Sequence, residues 1–265
     1  MSRVIPGILM AGGWLLLLLY GAPLLFGVVL LGAAGVALHE FFRMTRPSLS
    51  GSFLSSAIVF SLIPVLAACT GREDLVLAGV VFSLLATVFV ALSRYSVRED
   101  VFANISCTGF AILYISLCIA HVVLLRFHDH GSFWLILLTA VVAGSDTGAY
   151  YAGRAFGKRK LFPQISPKKT IAGSVGGLLA GLNVAGLLYF FAPADTGFLV
   201  LVASAALLVV VGIAGDLTES MIKRSMGVKD SGTILFGHGG ILDRIDSLLL
   251  TGPVLYYLLH FGILP

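Results

Sequence analysis

Residues 197–222 read GFLVLVASAALLVVVGIAGDLTESMI. Nothing from Phe198 to Gly215 is charged, and a bilayer core takes about 20 apolar residues to cross. Similar runs occupy roughly 4–20, 23–42, 53–70, 75–93, 104–125, 132–153, 171–192 and 245–263. They predict an all-α, polytopic integral membrane protein of eight or nine transmembrane helices. Whether the total is eight or nine turns on the first two runs. Val4 to Leu38 is too long for one helix, and Gly21-Ala22-Pro23 is a plausible turn within it. The first run follows Arg3 but has no clear small-residue cleavage site, so it reads as a retained span rather than a signal peptide.

Composition agrees. Of 265 residues, 58% are hydrophobic and 11% charged, against about 25% charged in a soluble domain. This excludes an ordinary soluble globule and a disordered chain. The apolar runs are continuous rather than alternating, which argues against a membrane barrel. Cys69, Cys107 and Cys118 all lie in apolar runs without metal-ligand spacing and read as buried thiols. His128 and His130 flank Asp129 in a short solvated loop.

Charge placement orients the spans. With the N-terminus inside and the spans alternating, Arg72 and Arg126 fall outside, and the other fifteen of the 17 Lys and Arg fall inside. Outer loops such as Gly71–Asp74 are short. Two inner segments, about 154–170 and 223–244, are long and polar, and a charged cytosolic substrate would meet these. Residues 1–130 read as scaffold helices and 131–265 as helices bearing the chemistry, within one integrated membrane domain.

The acidic residues in apolar surroundings carry the most information. A charge deep in hydrocarbon costs a few kcal/mol and by default marks a functional site facing the protein interior. Asp146 lies ~20 Å along its span, at about 1.5 Å per residue. Asp216, Ser220 and Lys223 share one helical face, with Glu219 beside it. Asp216 paired to Lys223 is the structural alternative, and helix packing amid small residues is the alternative for Asp146. Glu40, near a span end, is placed at the membrane interface.

Lys223-Arg224 is followed by Lys229-Asp230-Ser231-Gly232, then by Gly237-His238-Gly239-Gly240-Ile241-Leu242-Asp243-Arg244-Ile245-Asp246. Glycines around His238 would let backbone amides approach an anion. Carboxylates with neighbouring Lys and Arg on such a backbone suit a hydrated divalent cation bridging phosphates. The basic segment 154–170 ends in Ser166-Pro167-Lys168-Lys169-Thr170 before a glycine-rich helix start, a place where phosphate can bind. Part of Lys158–Lys160 is equally explained as an anchor to anionic lipid. Walker A, G-x-S-x-G and H-E-x-x-H patterns are absent.

From Ser220 through Asp246 the chain closely resembles the signature of the phosphatidate cytidylyltransferase family, S-x-x-K-R-x4-K-D then H-G-G-x-x-D-R-x-D. Asp146–Tyr150, Gly153-Arg154, Phe156–Lys158 and Ser166–Thr170 are similar to that family too. Together these motifs cover about 144–246. Family members usually carry T-x-E-G after the lysines, and Ala172 stands at the acidic position here.

The resemblance implies a metal-dependent reaction of CTP with phosphatidic acid, giving CDP-diacylglycerol and pyrophosphate. It also implies a membrane-embedded helical homodimer with a cytosol-facing polar cavity, in contact with membrane lipids and without a nucleic-acid partner. On this reading Asp216, Asp243 and Asp246 hold Mg2+, with Asp146 as a further ligand and room for a second divalent or a monovalent cation. Lys223, Arg224 and Lys229 neutralise the triphosphate. Ser166, Lys168 and Lys169 clamp a phosphate. Ser220, Asp230, His238, Gly239, Gly240 and Arg244 complete the nucleotide site. Three alternatives predict different observables. An ion-coupled transporter predicts flux without nucleotide. A CTP-dependent lipid or polyprenol kinase, or a cytidylyltransferase acting on another lipid phosphate, predicts a different product. A lipid-binding scaffold predicts no metal requirement.

Overall fold

The structure is a computed structural model and describes residues 4–49, 51–93, 95, 100–232 and 239–265. The chain is overwhelmingly helical. In order it forms α1 (Val4–Tyr20), α2 (Pro23–Thr45), α3 (Gly51–Ser61), α4 (Ile63–Ala68), α5 (Glu73–Ser93), α6 (Val101–Ala111), α7 (Cys118–Leu125), α8 (Gly131–Phe156), β1 (Lys160–Phe162), β2 (Ser166–Thr170), α9 (Ile171–Leu188), α10 (Phe198–Ser225) and α11 (Leu242–His260). A π-helical turn, Ile112–Leu117, joins α6 to α7, and a 3-10 turn, Tyr189–Phe191, extends α9.

Among the described residues, seven helical stretches are long and apolar enough to span a membrane: Pro23–Thr45, Gly51–Ala68, Glu73–Ser93, Val101–Leu125, Gly131–Phe156, Ile171–Phe191 and Phe198–Ser225. The first two apolar runs are separate helices, because Pro23 starts α2 at a position where its missing N–H costs nothing. At 17 residues α1 is short for a span, and α11 opens on Asp243, Arg244 and Asp246. The terminal helices are thus the marginal members of the expected eight or nine. The protein is a membrane protein.

Contacts divide the chain into two units, Met1–His128 with Asp230–Arg244, and Asp129–Lys229 with Ile245–Pro265. In the first unit, α4 packs on α5, α7 and α2. Its core includes Phe26, Leu38, Phe42, Ile112 and Leu125, all fully buried. The Arg126 guanidinium donates to the Gly21 carbonyl at 2.8 Å and ties down the α1–α2 turn. Near the end of α2, Phe41 stacks on Phe110, and Phe110 on Tyr114.

In the second unit, α8 and α9 lie together along most of their length, with α10 against both. Small residues permit this approach. A Cβ on Gly148 would come within 2.7 Å of the Gly176 carbonyl oxygen, and one on Gly177 within 2.9 Å of the Ser145 carbonyl oxygen. Helix α11 meets α10 in the same way, since a Cβ on Gly215 would lie 2.7 Å from the Asp246 carbonyl oxygen. The unit's one irregular element is the antiparallel hairpin β1–β2, pairing Lys160 with Thr170 and Phe162 with Ser166.

Candidate active site

The hairpin connects α8 to α9 and delivers its second strand directly into the start of α9. Thr170 is the N-cap, and its hydroxyl accepts from the Gly173 amide at 3.0 Å. That helix-start amide, a candidate for phosphate at the sequence level, is therefore used by the fold itself. What the hairpin presents instead is side chains.

A cavity of about 460 Å³ opens where the hairpin, α8, α9 and α10 meet. From α8 come Ser145, Asp146, Tyr150 and Arg154; from the hairpin Lys160, Lys168 and Lys169; from α9 Gly173 and Ser174; and from α10 Asp216. The Lys169 ammonium and the Asp216 carboxylate are 2.5 Å apart. The second Asp216 oxygen accepts from the Ser220 hydroxyl at 3.3 Å. Asp246 lies beside Gly215, within the electrostatic reach of Asp216, Lys223 and Asp146. One of its oxygens accepts from the Ser247 amide at 2.6 Å. The second unit thus assembles Asp146, Asp216, Asp246, Lys168 and Lys169 from widely separated positions in the sequence.

Other candidates are placed differently. Lys223 donates to Glu219 at 2.6 Å, and both residues are buried, so in place of the alternative pairing of Asp216 with Lys223 the structure has Asp216–Lys169 and Glu219–Lys223. Arg224 uses its guanidinium on backbone, donating to the Val228 carbonyl at 3.0 Å and the Ile165 carbonyl at 3.4 Å. It thereby links the turn after α10 to the hairpin loop. Ser166 is half-buried in β2, while Lys229 and Asp230 are exposed. Ala172 occupies the first turn of α9, half-buried and away from the cavity lining. His238 lies outside the described residues.

Asp243 and Arg244 belong to the first unit and are described among its residues. One Asp243 oxygen accepts from the Ser231 amide at 3.0 Å, the Ser231 hydroxyl at 2.9 Å and the Gly240 amide at 2.7 Å. The Arg244 side chain is exposed. Glu40, expected near a span end at the membrane interface, is enclosed by protein. It is 2% exposed, and its carboxylate accepts from the Ile241 amide at 3.1 Å and the Leu242 amide at 2.9 Å. Charge-assisted bonds of this kind contribute about 1.5–3 kcal/mol each, which offsets the burial of the charge. Of the glycine amides around His238 expected to approach an anion, that of Gly240 donates to the protein's own Asp243. Only a fold that brings residue 40 to residue 241 reveals the contacts of Glu40; no local pattern announces them.

Among the described residues, no three His, Cys, Asp or Glu side chains stand close enough to hold a metal unaided. Magnesium does not need such a cage: one or two carboxylates suffice when substrate phosphates and water complete its shell. The hard oxygen donors of Asp216, Asp146 and Asp246 fit that requirement.

The family comparison agrees with this chemistry. The description "Cytidylyltransferase family" matches residues 1–262. The chain belongs to the cytidylyltransferase family. As a cytidylyltransferase it is a CTP-dependent nucleotidyltransferase, and a positive cavity floor beside carboxylates is what a triphosphate requires. The chain is 35% identical to the phosphatidate cytidylyltransferase of Bacillus subtilis (strain 168), over 97% of both chains. Identity to the enzyme of the same name from Staphylococcus haemolyticus is 35% over 92% of both. To that from Haemophilus influenzae it is 45% over 51% of this chain and 49% of the relative.

Proposed function

We propose that this cytidylyltransferase condenses CTP with phosphatidic acid to give CDP-diacylglycerol and pyrophosphate. The observation that carries the reading is the cavity joining Asp216, Asp146, Lys168 and Lys169, in a chain similar over nearly its whole length to enzymes of that name.

The chemistry needs little beyond placement and charge neutralisation. A phosphatidate oxygen, already anionic, attacks the α-phosphorus of CTP in line. The bond from that phosphorus to the β-phosphate oxygen breaks, and pyrophosphate leaves with the electron pair. No general base is required. Two unit negative charges about 4 Å apart repel by ~4 kcal/mol at an effective dielectric of 20, so cations must surround the phosphates. Lys168 and Lys169 supply them from the hairpin, with Arg154 and Lys160 further along the wall. Asp216, with Asp146 and Asp246, would hold Mg2+, whose contribution when bound is to bridge the phosphates and stabilise the departing charge. The family resemblance assigns Asp243 a further metal-ligand role and gives Ser220, Gly239, Gly240 and Arg244 roles in nucleotide binding.

On this reading the protein is a homodimer in the cytoplasmic membrane with its cavity toward the cytosol. The fifteen-to-two division of Lys and Arg supports that orientation, and the family resemblance supports the dimer. The test is to give purified protein labelled CTP and Mg2+ with either phosphatidate or diacylglycerol. CDP-lipid and pyrophosphate are expected from phosphatidate alone, and a chelator should abolish both. Phosphorylated lipid and CDP from diacylglycerol would identify a lipid kinase instead.

A further inference from the structure

Helix α2 reaches the signature loop through one side chain. Both Glu40 oxygens accept: one from the Ile241 amide at 3.1 Å, the other from the Leu242 amide at 2.9 Å. The Ser231 hydroxyl stands between the second oxygen, at 3.4 Å, and Asp243, at 2.9 Å. Asp243 also accepts from the Gly240 amide at 2.7 Å. Three consecutive amides at the start of α11 are therefore held by two carboxylates, one of them 201 positions away in sequence from Ile241.

The glycines of the loop follow from this arrangement. A Cβ on Gly232 would lie 2.6 Å from a Glu40 oxygen, and one on Gly240 would overlap both Glu40 and the Ser231 hydroxyl. Gly239 has φ +79°, and a Cβ there would lie 2.7 Å from Asp243. Glycine is needed at Gly232 and Gly240 because Glu40 fills the space beside them, independently of any substrate.

We infer that Glu40 is a positioning residue of the transferase reaction: it caps α11 from another helix and so fixes the direction of Asp243 and of the Gly239-Gly240 turn. The inference rests on the proposed phosphatidate activity for its kinetic consequence but not for its structural one. A glutamine cannot replace Glu40, because its amide nitrogen would face an N–H donor and leave one helix-start amide without an acceptor.

The test compares Glu40→Gln with wild type in detergent, at a temperature where both are folded. Hydrogen exchange of peptides covering 239–244 should quicken at least tenfold, while α5 and α9 keep wild-type protection. The kcat for CDP-lipid formation should fall at least tenfold, with KM for CTP moving less than threefold. Ser231→Ala, which removes one shared hydroxyl and leaves both amide bonds, should show both effects at smaller size, and it serves if Glu40→Gln does not fold. Wild-type exchange across 239–244 in the variants would overturn the inference, whatever the activity. So would a loss of activity that only follows the fraction unfolded. If wild type forms no CDP-lipid, the proposed function fails, while the exchange arm still decides on Glu40.

Discussion

Lys223 sits one helical turn from Glu219 on α10, 2.6 Å from its carboxylate and buried with it. Removing one partner of a buried pair strands the other charge and costs about 3–5 kcal/mol. Lys223→Met should therefore destabilise the protein by about that amount, and adding Glu219→Gln should recover most of the loss. Thermal unfolding of the two variants in detergent measures this. A lysine that acted only on the triphosphate would change turnover and leave the unfolding midpoint alone. The exposed neighbours Arg224 and Lys229 lack such a partner set: Arg224 holds backbone carbonyls, and Lys229 faces solvent. At this scale the sequence identifies which residues carry charge in apolar surroundings. It does not choose partners. Asp216 could take Lys223 about two turns along its own helix, or Lys169 from a hairpin nearly fifty residues earlier, and the structure selects the second.

The close packing of α8 on α9 is what positions Ser145 and Asp146 on the cavity wall. Gly177→Val would push a side chain to within 2.9 Å of the Ser145 carbonyl oxygen, and overpacking of this kind costs about 1–3 kcal/mol. The expected outcome is a lower unfolding midpoint together with loss of CDP-lipid formation, while Gly186→Val, where a Cβ meets nothing within 4 Å, leaves both unchanged. The helices themselves were legible, because apolar runs of span length end at Gly, Pro or charge, and Pro23 marks the second start. The hairpin was not. Ser166-Pro167-Lys168-Lys169-Thr170 has turn formers and charges rather than alternating apolar residues, and its strand pairing uses backbone that side-chain pattern cannot report. The partners of Glu40 were not legible for a related reason: its position near the end of a span does not announce contacts with Ser231, Ile241 and Leu242, nearly two hundred residues or more away.

At the scale of the whole molecule, the seven long apolar helices among the described residues make it a membrane protein, and the distribution of positive charge supports the proposed orientation. Single cysteines introduced at Lys160 and Met226 should react with an impermeant maleimide only from the cytoplasmic side of sealed vesicles, and one at Asp195 only from the opposite side. Labelling of Lys160→Cys and Asp195→Cys from the same side would break the proposed orientation, since α9 crosses once between them. The labelling is done in a background lacking the native thiols, because Cys118 is buried but Cys69 and Cys107 are only half-buried.

The account stands on Asp216 as the anchor of a metal–triphosphate complex beside Lys169. Manganese can stand in for magnesium and report binding by its paramagnetic resonance. Purified wild-type protein should bind Mn2+ saturably and much more tightly when CTP is present, and Asp216→Asn should lose that CTP-dependent binding while keeping its unfolding midpoint. Equal CTP-dependent Mn2+ binding by the folded variant and the wild type would contradict the account.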